Sequence, residues 1–251
     1  MTDYAPFAAL YDLFYADFED DIEMYRGFAD RTGGAILEIG SGTGRVSIAL
    51  AGEEHHVTGV ELSDEMISLA QKKIEASGLS KQVNLIQAEM RRFTLDDHFG
   101  LAIVPLNTFL HNLTLDDQLS TLNSIKKHLT PNGLLVLDCF LPDPTNADDH
   151  RLILQRSVID RATGTAAQLF LSRTTDWANQ RQDITYFVDR SDRSGQVQRN
   201  VFNTSFRFIY RNEMQLLLKQ GGFDLKEVYG SYELDPFDAS SDKMIVVATP
   251  T

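Results

Sequence analysis

Cysteine is almost missing from this sequence: Cys139 is the only one in 251 residues. No disulfide can therefore close within the chain, and nothing demands an oxidising compartment. Basic residues are also scarce, 23 Lys+Arg against 36 Asp+Glu, for a net charge of -13. That balance argues against partners gripped through phosphates, whether nucleic acid or an anionic membrane surface. No apolar run approaches the ~20 residues of a bilayer-spanning helix. The opening residues, MTDYAPFAALYDLFYADFEDD, are acidic and lack the basic start of a signal peptide. A cytoplasmic protein is the expectation. Internal repeats and low-complexity tracts are absent too. What remains, 43% hydrophobic and 24% charged residues, is ordinary globular material.

The pattern along the chain alternates strand and helix. Residues 1–34 read as a helical cap, with Phe7, Leu10, Tyr11 and Phe14, then Ile22, Tyr25 and Phe28, recurring at helical spacing. Residues 35–150 read as a nucleotide-binding core. Its strands, AILEI, HHVTGVE, VNLIQAE, GLAIVPL and GLLVLDCF, are short apolar runs, the mark of a parallel sheet buried on both faces. Ser63 or Asp64 is placed to cap the helix after the second strand. Residues 151–210 change character: four β stretches, separated by turns at Thr163-Gly164, Ala178-Asn179-Gln180 and Arg193-Ser194-Gly195, read as an antiparallel insertion. Residues 211–251 supply a helix and two last strands. The fold class is α/β: a Rossmann-like, mostly parallel sheet with helices on both faces and an inserted antiparallel β segment.

The strongest chemical signal is LEIGSGTGR at the end of the first strand. Gly40, Gly42 and Gly44 let the main chain adopt positive φ and let a ligand approach it closely. Glu61 ends the second strand and can accept hydrogen bonds from both hydroxyls of a ribose. Glu89 and Met90 follow the third strand, a carboxylate for an adenine amine and a thioether to pack on its ring. Each feature alone is common. Together, at the carboxyl ends of successive strands, they point to an adenosine ligand lying where open α/β sheets bind theirs. A dinucleotide site favours G-x-G-x-x-G; here the glycines run G-x-G-x-G, two residues after Glu38.

These segments resemble the class I S-adenosylmethionine-dependent methyltransferases. LEIGSGTGR is similar to their first motif, GVELSDEMISLAQ to the second, and QAEMRRF to the third, with Ala88 and Glu89 standing where Gly and Asp are usual. VPLNTFLHNL resembles the stretch after strand four, and HLTPNGLLVLD the lead into strand five. The resemblance covers residues 35 to 141 and implies a seven-stranded sheet with an antiparallel last strand. It implies S-adenosylmethionine as cofactor, held by Glu38, Gly40, Ser41, Gly42, Thr43, Gly44 and Arg45, by Glu61, Leu62 and Met66, by Glu89, Met90 and Arg91, and by Pro105, Leu106 and Asn107. The N-terminal YDLFY is similar to the small-molecule branch, in which an aromatic helix folds over the cofactor.

Methyl transfer needs position and electrostatics more than a catalytic triad, because the cofactor carries the reactivity. His111 is the candidate base. Tyr11 and Tyr15, one helical turn apart, are candidates to meet the cofactor carboxylate or the acceptor. Asn107 is a candidate for the cofactor's methionine end, and Arg45 for its carboxylate or for Glu38. Phe14, Trp177, Tyr186, Phe206 and Phe208 are candidates for an acceptor pocket or an oligomer surface. His55-His56 are sequence neighbours with no third ligand nearby, so no metal is expected. The acidic runs Glu19-Asp20-Asp21 and Asp148-Asp149 read as solvated faces. The expected partner is a small-molecule N, O or C acceptor, with a homodimer possible through the β insertion. A nicotinamide-dependent oxidoreductase and a non-catalytic cofactor-binding protein are the alternative readings.

Overall fold

The computed structural model of the protein describes residues 5–142, 150–160, 163–192 and 194–251. Asp148-Asp149 and Arg193, named above, lie outside them.

The N-terminal segment forms two helices, α1 (Ala5–Tyr15) and α2 (Ile22–Thr32). The break falls where Asp17, Glu19, Asp20 and Asp21 crowd together, since Asp favours caps and turns over helix interiors. Asp21 occupies the N-cap of α2 without capping it. It is not a solvated residue either: it is fully buried, and its carboxylate is taken by Arg45.

Beyond α2 the chain alternates. It runs β1 (Ile36–Ile39), α3 (Arg45–Ala51), β2 (Val57–Glu61), α4 (Asp64–Ala76), β3 (Val83–Gln87), β4 (Phe99–Val104), a short 3-10 turn (Thr108–His111), α5 (Leu115–His128) and β5 (Leu129–Phe140). Ser63 is the residue that caps α4, its hydroxyl accepting from the Met66 N–H. After the insertion come α6 (Arg211–Gln220), β10 (Phe223–Tyr229) and β11 (Lys243–Pro250).

These strands make one seven-stranded sheet in the order β10-β11-β5-β4-β1-β2-β3. The β5-β4-β1-β2-β3 pairs are parallel, and β11 runs antiparallel to both neighbours. All four residues of β1 are buried, as a strand covered on both faces requires. From β1 the chain spreads first toward β3 and then back toward β5. The crevice at the carboxyl end of β1 is therefore the switch point where such sheets take ligands.

The insertion is a separate four-stranded antiparallel sheet, β6 (Ile153–Asp160), β7 (Thr165–Asp176), β8 (Arg181–Ser191) and β9 (Val197–Arg207), paired in that order. One face packs on α1, where Phe7, Leu10 and Phe14 join Ala167, Leu169 and Val188 in a single apolar cluster. The Phe7 ring lies parallel to Tyr186 at 6.2 Å and 5.0 Å from Phe202. Phe206 and Tyr186 also reach the main core under β5. Among the described residues no helix is long and apolar enough to cross a membrane.

Candidate active site

A cavity of about 920 Å³ opens at the switch point. That is the upper end of the ~300–1,000 Å³ common for small-molecule sites. Its floor is the glycine loop. Gly40, Gly42 and Gly44 all have positive φ, 70°, 56° and 81°. A Cβ at Gly40 would meet Thr108 Cγ2 at 2.4 Å, so the turn after β4 rests directly on the loop. A Cβ at Gly42 would meet only the Gly40 carbonyl at 4.0 Å, which leaves open space above the main chain.

Glu61 closes one side. Its Oε2 accepts the Gly42 N–H at 2.9 Å, and its Oε1 accepts those of Leu62 and Ser63 at 2.8 and 2.9 Å. Three main-chain donors thus fix the carboxylate, which also lines the cavity and keeps about one acceptor site unused. Leu62, Met66, Met90, Leu106 and Leu113 are among the apolar residues of the lining. Ser41 also lines the cavity, and its buried Oγ has no hydrogen-bond partner among the described residues. Open space over a glycine, an anchored carboxylate, thioethers for a ring face and an orphaned hydroxyl fit an adenosine ligand.

Below the loop lies a buried charged layer. Glu38 is 2% exposed and accepts a hydrogen bond from Ser47 Oγ. Burial pushes its carboxyl up to about 8, against the pull of Ser47 and Arg45. Arg45 is expected beside the cofactor carboxylate or Glu38; both its terminal nitrogens instead bond Asp21 at 2.6 Å, and one also donates to the Phe18 carbonyl at 2.7 Å.

Over the loop lies α1. Asp12 accepts from Thr43 Oγ1 at 2.5 Å and from Lys73 Nζ on α4 at 2.9 and 3.0 Å. This clamp brings Tyr11 to the cavity wall. Tyr15 stacks on Tyr11 at 4.8 Å but is not part of the wall, and the Arg156 guanidinium covers its ring at 5.0 Å.

Beyond β3, Glu89 lines the cavity with its carboxylate in ion pairs to Arg91 and Arg92. Arg91 is paired in turn with Asp117. The expected adenine contact of Glu89 therefore competes with two guanidinium groups. The Met90 thioether receives the Asn112 side-chain N–H at 3.5 Å. Pro105 and Leu106 line the cavity, but Asn107 does not: its Oδ1 accepts the Phe140 N–H at 2.5 Å, turned toward β5.

His111 completes the far end, packed on the Phe206 ring at 4.6 Å. Burial drives its imidazole down to about 4, only partly opposed by a hydrogen bond with the Ser205 main chain. Arg181 of β8 and Asn203, Thr204 and Ser205 of β9 share that wall. Sequence reasoning missed these four. For Asn203 and Ser205 the available signal was period-2, since with Arg207 they alternate with Phe202, Thr204 and Phe206; that alternation gives no signal for Thr204 or Arg181. Of the five aromatic candidates for an acceptor pocket, none lines the cavity. Phe14 packs against the insertion, Tyr186 on Phe7, Phe206 behind His111, and Trp177 on Phe208 at 5.6 Å.

Comparison with known proteins agrees with this geometry. Residues 36–133 match the family model described as methyltransferase domain. The cypemycin N-terminal methyltransferase of a Streptomyces species is 27% identical over 215 residues, 86% of this chain and 82% of that protein. The CcbJ methyltransferase of Streptomyces caelestis superimposes with a TM-score of 0.83 at 24% identity, over 100% of this chain and 98% of that one. CalS10 of Micromonospora echinaspora, an amino pentose methyltransferase solved with S-adenosylmethionine bound, gives 0.73 at 19% identity, over 98% and 96%. The two structures share the fold, and the matched family removes the nicotinamide alternative. The glycine loop and Glu61 lie in the matched segment, and these similarities support an S-adenosylmethionine-dependent methyltransferase.

Proposed function

We propose that the enzyme methylates the nitrogen of a small polar amine held at the His111 end of the cavity. The observation that carries this reading is the make-up of that wall: a buried, uncharged imidazole beside the amide and hydroxyl groups of Asn203, Thr204 and Ser205. When bound, S-adenosylmethionine supplies a methyl group on a sulfonium, which an acceptor lone pair takes as the carbon–sulfur bond breaks. In this reading Glu61 holds the ribose hydroxyls, Met90 and Leu113 flank the adenine, and the Pro105–Leu106 turn borders the methionine end.

An imidazole held down to about 4 carries no charge at neutral pH, so it adds no repulsion beside a cation. It is also about six pH units weaker as a base than an aliphatic amine. His111 therefore orients the acceptor by hydrogen bonding and does not strip an ammonium; the amine arrives as its free base. The names of two similar proteins, an N-terminal methyltransferase and an amino pentose methyltransferase, support an amine acceptor. A second copy of the chain docking on the insertion belongs to the same reading: Leu154, Val197 and Val201 are 50%, 60% and 51% exposed there. Sedimentation velocity showing a monomer at all concentrations would remove that part.

The test is transfer of labelled methyl from S-adenosylmethionine to paired amino sugars, peptide N-termini and their hydroxyl analogues. The expected result is label on nitrogen, with kcat/KM rising with pH along the amine's own titration. Label on the hydroxyl analogues alone would overturn the amine assignment. Calorimetry with S-adenosylhomocysteine and NADH runs alongside, and binding of the former alone is expected.

A further inference from the structure

Three arginines line the cavity, Arg45, Arg91 and Arg181. Two of them are spent. Both terminal nitrogens of Arg45 meet the buried Asp21 carboxylate, and those of Arg91 meet Asp117 and Glu89. Arg181, at the start of β8, is bonded along one edge only. Its Nε donates to Asp183 Oδ1 at 3.0 Å and its Nη2 to Ser205 Oγ at 3.1 Å, while Ser205 Oγ donates in turn to the same Asp183 oxygen. That closed triangle fixes the guanidinium against β9. A guanidinium carries five N–H groups. Three of those on Arg181, including both on Nη1, have no partner among the described residues. Asp176, opposite Arg181 on β7, spends its two oxygens on Asn179. Beside the guanidinium, Asn203 Oδ1 accepts from Thr185 Oγ1 at 2.8 Å, which leaves its Nδ2 donor unbonded among the described residues.

This stretch of wall therefore offers N–H donors and one positive charge to whatever lies against it. A carboxylate, with two oxygens in one plane and a single negative charge, meets such an open edge through two parallel hydrogen bonds. A phosphate dianion fits less well, since Glu38, Glu61, Asp64, Glu65, Glu89 and Asp117 line the same cavity. We infer that the acceptor is an amino acid-type molecule, its carboxylate seated on the Nη1–Nη2 edge of Arg181 and its amine at the His111 end, an assignment that rests on the amine reading above. Ser205 joins the two places: its side chain holds Arg181, and it belongs to the wall that His111 completes. Arg181 is thus a specificity-determining residue. It selects which amine is held and takes part in no transfer of proton or methyl group.

The test uses the full chain, labelled S-adenosylmethionine and a series of unbranched amino acids of increasing length, each beside its carboxamide, with kcat/KM counted on the free amine. In wild type the best carboxylate is expected to exceed its own carboxamide about tenfold, the worth of a charged hydrogen bond. Arg181→Met is expected to bring that ratio to about one by lowering the carboxylate alone, with the carboxamide and the affinity for S-adenosylhomocysteine as in wild type. Arg181→Lys, charged but without the fork, falls between. A carboxylate no better than its carboxamide in wild type, or a preference that survives Arg181→Met, overturns the proposal. So does an equal fall of both substrates in Arg181→Met, the mark of a merely structural arginine. So does weakened binding of S-adenosylhomocysteine, which would assign Arg181 to the donor's own carboxylate. Should Arg181→Met fail to fold, as read from its melting curve, Arg181→Lys decides by the same ratio. If no amine in the series is labelled, calorimetry of the same compounds into enzyme saturated with S-adenosylhomocysteine separates the two readings. Carboxylate binding that is lost in Arg181→Met then upholds the fork and counts against the amine; no carboxylate binding refutes the fork.

Discussion

Glu61→Ala separates what the carboxylate does for the ligand from what it does for the loop. The side chain accepts three main-chain N–H bonds, from Gly42, Leu62 and Ser63. Those donors are exposed or half-buried, so water replaces the lost acceptor, and a cost of ~1 kcal/mol is expected. For a chain of this size that is a drop of about 2–4 °C in melting temperature. The ligand loses more, since hydrogen bonds to a charged group are each worth ~1.5–3 kcal/mol and nothing else in the groove replaces them for a ribose. With tenfold per ~1.4 kcal/mol, affinity for S-adenosylhomocysteine falls by roughly ten- to a hundredfold. Glu61→Gln keeps one acceptor oxygen and is expected between the two. Calorimetry alongside a thermal melt reads both quantities on the same sample. An affinity within about twofold of wild type, beside the expected drop in melting temperature, would show that Glu61 organises the loop without touching the ligand.

Three further outcomes follow from the site. Gly42→Val and Gly40→Ala both force a side chain onto positive φ, but Gly42→Val fills open groove while Gly40→Ala strikes Thr108. Titration calorimetry is therefore expected to show lost donor binding in Gly42→Val with a modest loss of stability, and thermal melts to show the larger loss in Gly40→Ala. Asp12→Asn breaks a half-exposed ion pair to Lys73 worth less than ~1 kcal/mol, yet frees α1 from the glycine loop. Its melting temperature should barely move, while limited proteolysis should cut near α1 faster than in wild type unless the donor is bound. Glu38 has a folded-state carboxyl near 8, above its unfolded value. The folded state therefore holds the extra proton between about 4.5 and 8, and stability conferred in acid is lost as pH rises through that window. Melting curves of Glu38→Gln should accordingly fall less steeply with pH than those of wild type; parallel slopes would refute the shift.

The parallel core was legible because buried strands announce themselves. GLAIVP has no polar side chain and ILEI only the buried Glu38, and the glycines and Glu61 sit at their strand ends at spacings local in sequence. What escaped was settled by partners far along the chain. Arg45 chose Asp21, 24 residues away, over Glu38 in its own motif. Asn107 turned to Phe140, 33 residues on, and so away from the cavity. Asp138 reads as one polar residue in an apolar strand; only the fold brings Tyr25 and Tyr232 to it, 113 and 94 residues distant. The aromatics misled for a physical reason as well. Large rings fill packing seams well, and here Phe14 and Tyr186 fill the one between α1 and the inserted sheet, Phe206 backs His111 and Trp177 packs on Phe208, so none of them reaches the cavity wall.

Helix α1 belongs to two neighbours at once. Phe7, Leu10 and Phe14 are seated in the inserted sheet, and Asp12, on the same eleven-residue helix, is tied to the loop beneath the donor site. Transplanting residues 151–210 from a relative to change acceptor choice would leave those three rings and chains facing a foreign surface. The exchangeable module is thus discontinuous: a graft needs the amino-terminal helix together with a sheet that begins about 140 residues later.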